Sequence, residues 1–309
     1  MFARRLTLLA GGLAATLATA LALVAPVASA ADVAPAPAAP DPVTAALDPS
    51  PPGSNDWSCK PTAKHPEPVV LAHGLSANQA NNWAYMAPVL KRAGYCVFSL
   101  TYGRNPLAPP PLSQVGGLIE MERSAEQFKA FVDRVLAATG AEEVDVFGHS
   151  EGSLMPNQYV RFGGGAEKVK RYVGLTPLWD GTKLLGASQL DRVGRGFGLD
   201  AGYGPLLAQF CGSCRQFLNG SDFLTRMASD GGPAAKGVEY TMILTERDEL
   251  VIPFTSGLLD GADNVVLQDV CPGDQSEHVA VAFSPNVAQI VLNALDPDRA
   301  RPVRCGAPA

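Results

Sequence analysis

The sequence predicts an α/β fold built on one central, mostly parallel sheet of about six strands flanked by helices. Two observations carry that expectation. From about Pro66 onward, short apolar runs alternate with longer amphipathic ones, which is the rhythm of repeated βα units. The apolar runs are also hydrophobic on both faces, which suits strands covered by helices on either side and not a sheet with one face in water.

Along the chain, residues 1–30 read as a secretory signal peptide. Arg4 and Arg5 precede an apolar run from Leu6 to Val27, and Ala28-Ser29-Ala30 supplies small residues at the A-x-A positions. Cleavage would start the chain at Ala31 and leave no stable membrane span. Residues 31–56 are rich in Ala, Pro and Asp with no hydrophobic period, the composition of an extended linker without core residues. The remainder, residues 57–309, is long enough for one α/β domain with a sizeable core.

The expected strands are Pro68 to Ala72, Tyr95 to Thr101, Val144 to Phe147, Val169 to Leu175, Val238 to Leu244 and Asn264 to Val270. Helices are expected over Trp83 to Ala93, ending at Gly94, and over Ile119 to Ala138, ending at Gly140, with each glycine placed as a left-handed C-terminal residue. Phe128, Phe131, Val132, Val135 and Leu136 give the second of these its buried stripe. A last helix over Val279 to Leu295 contains Pro285, which breaks it or delays it until Asn286. Two stretches interrupt the rhythm: a Pro-rich loop over Arg104 to Gly117, and residues 178–237, whose many apolar side chains suggest a cap-like insertion over a site.

The formal net charge is −6, and losing the signal removes two arginines and no acid. An acidic chain without a basic run is a poor nucleic-acid binder. Six cysteines in an exported chain read as three disulfides, for which fifteen connectivities are open. Cys211-Gly212-Ser213-Cys214 reads as a structural clip, since an extracellular setting without a neighbouring redox βαβ unit gives a CxxC pair no exchange partner.

The chemistry centres on Gly148-His149-Ser150-Glu151-Gly152, a G-x-S-x-G pentapeptide between an expected strand and a helix-compatible stretch. That context puts a serine hydroxyl on a sharp strand-to-helix turn, as a nucleophile requires. A serine also needs a base, and histidine suits that work near neutrality. There are four histidines. His149 lies beside the serine and would turn into the packing, His73 belongs to a strand-end turn, and His65 precedes a proline ahead of the first strand. His278, after the last strand, is left as the base.

The base in turn needs an acid to fix its tautomer, in a loop after a strand and between serine and histidine in chain order. Asp248 in Thr245-Glu246-Arg247-Asp248-Glu249 meets both conditions, with Glu246, Asp269 and Asp274 as alternatives. The backbone amides of Leu75 and Glu151 stand where an oxyanion hole would draw its two donors. Trp179, Leu206, Leu207 and Phe210 are the candidate substrate-binding residues, the last three on one face of a short helix restrained by Cys211 and Cys214.

His73-Gly74 after the first strand, Asn82-Trp83, Ala87-Pro88-Val89-Leu90, Gly94-Tyr95-Cys96-Val97-Phe98, the pentapeptide and Ser276-Glu277-His278 together resemble the secreted bacterial class 2 lipases of the α/β-hydrolase superfamily. The likeness runs from about Trp57 to Leu295. It implies an α/β-hydrolase fold, a Ser150-Asp248-His278 triad, no cofactor or metal, and carboxyl-ester substrates. With chain order, it also suggests the pairs Cys59 with Cys96, Cys211 with Cys214 and Cys271 with Cys305.

The expected function is therefore that of a secreted, monomeric serine esterase or lipase that meets lipid or ester substrate, with an oil–water interface as its working surface. A polyesterase and an acyltransferase use the same machinery, and a non-catalytic binding protein on the same fold is the reading of a different class. One departure from the family stands out: relatives commonly carry Gln and then a Gly pair after the serine, where this chain has Glu151-Gly152-Ser153. An ionised carboxylate there, within several ångströms of His278, would hold the imidazolium to higher pH.

Overall fold

The computed structural model describes residues 48–107, 112–183 and 211–306. Its centre is a six-stranded, wholly parallel sheet: β1 (Val69–Ala72), β2 (Val97–Leu100), β3 (Val144–His149), β4 (Val169–Leu175), β5 (Glu239–Leu244) and β6 (Asp263–Val266), in the order β2-β1-β3-β4-β5-β6. The chain runs outward from β1 to β2, then returns to place β3 on the other side of β1. The crossover direction reverses between β1 and β3, and such a switch point opens a crevice beyond the carboxyl ends of the strands. Ala72 of β1 stands level with Gly148 of β3, so the turn after β1 and the Ser150 turn meet in that crevice.

The strands sort their side chains by the two-residue period. Val70, Ala72, Phe98, Val144, Val146, Tyr172 and Met242 face one helical layer, formed by α3 (Met121–Thr139) and α4 (Met155–Phe162), and Val69, Leu71, Val97, Phe147, Val173 and Ile243 face the other. That second layer holds α2 (Met86–Ala93), which follows the short α1 (Gln79–Asn82), and α7 (Pro285–Leu295). The smaller α5 (Asp222–Met227) buries Phe223, Leu224 and Met227 in the first layer. Gly94 and Gly140 end α2 and α3 in the left-handed conformation the sequence called for. Pro285 opens α7 instead of breaking it: Ser284 caps the helix by accepting from the Val287 amide, and a proline at the first position loses no hydrogen bond.

Three expectations need correction. Beyond Val266 the strand of Asn264 to Val270 turns into the short helix α6 (Leu267–Val270), because Gln268 is drawn inward to accept from the Glu246 amide and donate to Thr245 and Asp274. The linker does not run to residue 56. Asp48 pairs with Arg104, while Asn55 donates its amide to Val97 O and accepts from the Ser99 amide, so residues 48–56 dress the β2 edge. In the expected cap, the described residues Leu178, Trp179, Phe217 and Leu218 are buried and complete the domain core. Residues 184–210, with Leu206, Leu207 and Phe210, lie outside the described residues.

The disulfides are Cys59–Cys96, Cys211–Cys214 and Cys271–Cys305. Cys59–Cys96 closes 37 residues, for which chain entropy alone gives about 4 kcal/mol. Replacing both of its cysteines by serine is expected to lower the urea-unfolding free energy by about 2–4 kcal/mol, and a loss within the error of that extrapolation would contradict this account of the bridge.

Candidate active site

Ser150 follows β3 directly and holds φ at +55°, a left-handed backbone that bulky residues avoid. The flanking glycines explain how the turn closes. A Cβ on Gly148 would lie 1.9 Å from Gly152 O, and one on Gly152 would lie 2.0 Å from Ala72 O. Only hydrogen fits at either place, so the turn presses against both its own far end and β1. The serine hydroxyl is thereby thrust out over the carboxyl end of the sheet.

Ser150 Oγ lies 2.8 Å from His278 Nε2, and His278 Nδ1 lies 2.9 Å from both carboxylate oxygens of Asp248. Nδ1, facing a carboxylate, carries the proton, which leaves the Nε2 lone pair to accept the serine hydroxyl. Asp248 is fixed by the loop it begins, its Oδ1 accepting from the amides of Leu250 and Val251. The alternative acids are occupied elsewhere. Asp274 accepts from Ser284 and Asn286 at the start of α7, Asp269 is exposed on α6 and not inside a strand, and Glu246 is exposed.

Of the remaining histidines, His65 packs its ring 3.8 Å from that of Tyr95. His73 is fully buried, donating from Nδ1 to Gly74 O and accepting the Tyr102 amide at Nε2; burial pushes its pKa down to about 4. His149 is buried too, yet it does not simply turn into the packing, because its two nitrogens reach Asn82 and the backbone of His278.

The amide of Leu75 follows Gly74, whose Cα faces the Ser150 Cβ closely enough that an added Cβ would meet it at 3.2 Å. Among the described residues no acceptor takes the Leu75 N–H. Glu151 is the second residue of a short 3₁₀ turn over Ser150–Ser153, where N–H groups have no partner within the helix. Both amides are thus available beside the serine. The crevice above them is a cavity of about 520 Å³, walled by Leu75, Ala77, Leu178, Phe217, Val251 and Ala282. Trp179 is not part of the wall: it is buried in the core with its N–H donated to the Met242 sulfur. Phe217 belongs to the 178–237 segment expected to cover the site, whereas nothing local in the sequence marks Val251, which a distant loop brings to the wall.

The model for class 2 lipases matches residues 66–291, more than half of the chain. The chain belongs to the class 2 lipase family. Solved structures agree on the fold. Lipase B of Aspergillus fumigatus superposes with a TM-score of 0.60 at 19% identity over 88% of this chain, which spans 61% of that enzyme's length. The mature form of the Bacillus licheniformis lipase BlEst2 gives 0.54 at 14% identity, over 76% of this chain and 94% of its own. No curated protein sequence matches the chain.

One expectation about this class 2 lipase is overturned by its geometry. The Glu151 side chain points away from His278 into the layer below, where both its oxygens are buried beside Gly117 and the hydroxyls of Tyr102 and Ser213. Those hydroxyls send their protons to His73 O and Gly117 O. Burial, the first cause, raises the carboxyl well above the ordinary glutamate range, and the neighbouring Ser213 and Tyr102 hydroxyls offset it only in part. Turned away and favoured in its neutral form, it has little charge to place on His278.

An acid whose folded pKa is raised costs the native state stability as pH climbs from its unfolded value towards the folded one. Glu151→Gln removes that cost while keeping the shape. The variant is expected to leave the acidic limb of the pH–kcat/KM profile where it is, and to exceed the parent in Tm by a margin that widens with pH above the ordinary glutamate range. A shifted limb, or a Tm difference constant in pH, would show an ionised Glu151.

Proposed function

We propose that the chain is a secreted serine carboxyl-ester hydrolase, a triacylglycerol lipase or esterase that works through an acyl-enzyme on Ser150. The observation that carries this reading is the unbroken relay from Ser150 Oγ through His278 to Asp248, at 2.8 and 2.9 Å, at the floor of an apolar cavity. Ser150 attacks the ester carbonyl carbon while His278 Nε2 takes the hydroxyl proton. The carbonyl oxygen becomes an oxyanion in reach of the Leu75 and Glu151 amides. Collapse of the tetrahedral intermediate breaks the bond to the leaving alcohol, which takes the proton from His278. Water then adds to the acyl-enzyme, giving its proton to His278, and the second collapse releases the carboxylic acid and returns that proton to Ser150. Asp248 keeps the proton of Nδ1 in place and stabilises the imidazolium at both stages.

A lipid or other hydrophobic ester fits the mouth as well as the floor. Leu250, Val279 and Phe283 border the cavity and remain 42%, 51% and 36% exposed, an apolar rim at which an acyl chain sheds water. Secretion is supported by the signal-like N-terminus and by three disulfides, which persist in an oxidising compartment. No described helix is long and apolar enough to cross a membrane.

The test is a series of nitrophenyl esters from acetate to palmitate with a triglyceride emulsion alongside. Turnover is expected on several of them, and Ser150→Ala or His278→Ala is expected to lose roughly 10⁴-fold in kcat, with no further loss in the double variant. More than a tenth of parental activity in either single variant would remove that residue from the mechanism.

A further inference from the structure

His149 is a buried titratable group that the reaction above does not use, and its surroundings are unusual. It is the last residue of β3, next to Ser150, so the pressed turn fixes its backbone. Its Nε2 lies 2.9 Å from the backbone carbonyl oxygen of His278, and its Nδ1 lies 3.0 Å from Asn82 Oδ1. That same Asn82 oxygen accepts the Gly74 amide at 2.9 Å, and Gly74 carries Leu75 with it. One imidazole thus connects the nucleophile strand, the loop of the base and the loop that offers the oxyanion amide.

The proton count makes the connection demanding. Both ring nitrogens face oxygen acceptors, while burial, with the neighbouring His278 acting in the same direction, pushes the pKa of His149 down to about 3. A neutral ring has one N–H. Turning the Asn82 amide over would satisfy Nδ1 but set an NH₂ against the Gly74 N–H. The present orientation keeps Gly74 bonded and leaves Asn82 Nδ2, buried, without an acceptor among the described residues. A core chosen for stability alone would fill this place with an apolar ring, because each mismatch costs desolvation that nothing returns. The polar ring keeps three loops in register.

We propose that His149 is a positioning residue for the hydrolysis described above: its Nε2–H holds the His278 carbonyl, and its ring packs against the Asn82 amide that accepts the Gly74 N–H, which limits where the Gly74-Leu75 turn can sit. The inference rests on the proposed nucleophile and base, and it adds a residue that touches neither substrate nor the reacting atoms. Side chains that hold reacting groups from one layer away matter through fractions of an ångström, and a displacement of about 1 Å is enough for a loss near 10²-fold.

Three substitutions separate positioning from bulk. His149→Phe keeps a ring and removes both contacts; His149→Gln puts an amide donor where Nε2 stands, towards His278 O; His149→Asn puts one where Nδ1 stands, towards Asn82. With a soluble nitrophenyl ester, His149→Phe is expected to lower kcat by about 10²-fold with KM changed less than threefold. His149→Gln is expected to recover at least tenfold of that loss, and His149→Asn less, although the melting temperatures of the two amide variants fall together. A loss in His149→Phe of less than tenfold overturns the proposal. So does equal activity in the Gln and Asn variants, a comparison that stands even if His149→Phe fails to fold. Ser150→Ala measured alongside distinguishes the two levels: residual hydrolysis there overturns the nucleophile and this inference with it, whereas an inactive Ser150→Ala beside an unimpaired His149→Phe overturns this inference alone.

Discussion

The site depends on the contact between the Ser150 turn and β1. Holding a serine at φ +55° costs on the order of 1–3 kcal/mol, and the turn persists because Gly152 packs against Ala72 O with no room for a Cβ. The same contact sets the level of the β1 turn against the serine, which puts the Leu75 amide and the nucleophile on one ledge. Strand order supplies the reason for the meeting: β1 and β3 are neighbours at the point where the sheet reverses its winding. Separating them by one strand would leave each turn intact and the site absent.

A second brace holds the acid and the base, which arrive from opposite sides of β6 in the sequence. Thr245 Oγ1 donates to Ser276 O, and Gln268 donates to Asp274 O and Thr245 while accepting from the Glu246 amide. Thr245, Gln268, Asp274 and Ser276 are buried, so the bonds among them replace water that is no longer there and their loss costs more than on the surface. Cys271–Cys305 fixes the chain a few residues ahead of His278. Asp248 and His278 are therefore held by polar groups outside the cavity lining, an arrangement that would preorganise the proposed relay.

How much of this is legible in the sequence differs by element. All six strands announce themselves, because a buried parallel strand is apolar on both faces and has few other readings; Val144 to Phe147 and Val169 to Leu175 are the clearest. Ser150, His278 and Asp248 were named from spacing and scarcity, and the structure brings those three together. What stayed hidden is whatever depends on where a side chain turns. Glu151 is adjacent to Ser150 in sequence, yet its carboxyl lies buried beside Gly117, Tyr102 and Ser213. The cavity wall draws on Leu75, Phe217 and Val251, whose proximity is a property of the sheet. The last turn of the expected strand at Asn264 to Val270 was lost to the pull of Gln268, a polar contact that an apolar pattern does not record.

The central claim is that the pressed turn presents an activated Ser150. It is tested most directly by incubating the protein with a fluorophosphonate and mapping the adduct by peptide mass spectrometry. The account predicts a single adduct on the peptide that contains Ser150, formed rapidly in the parent and hardly at all in His278→Ala or in urea-unfolded protein. Modification of a different serine, or equal labelling of Ser150 without His278, would contradict it.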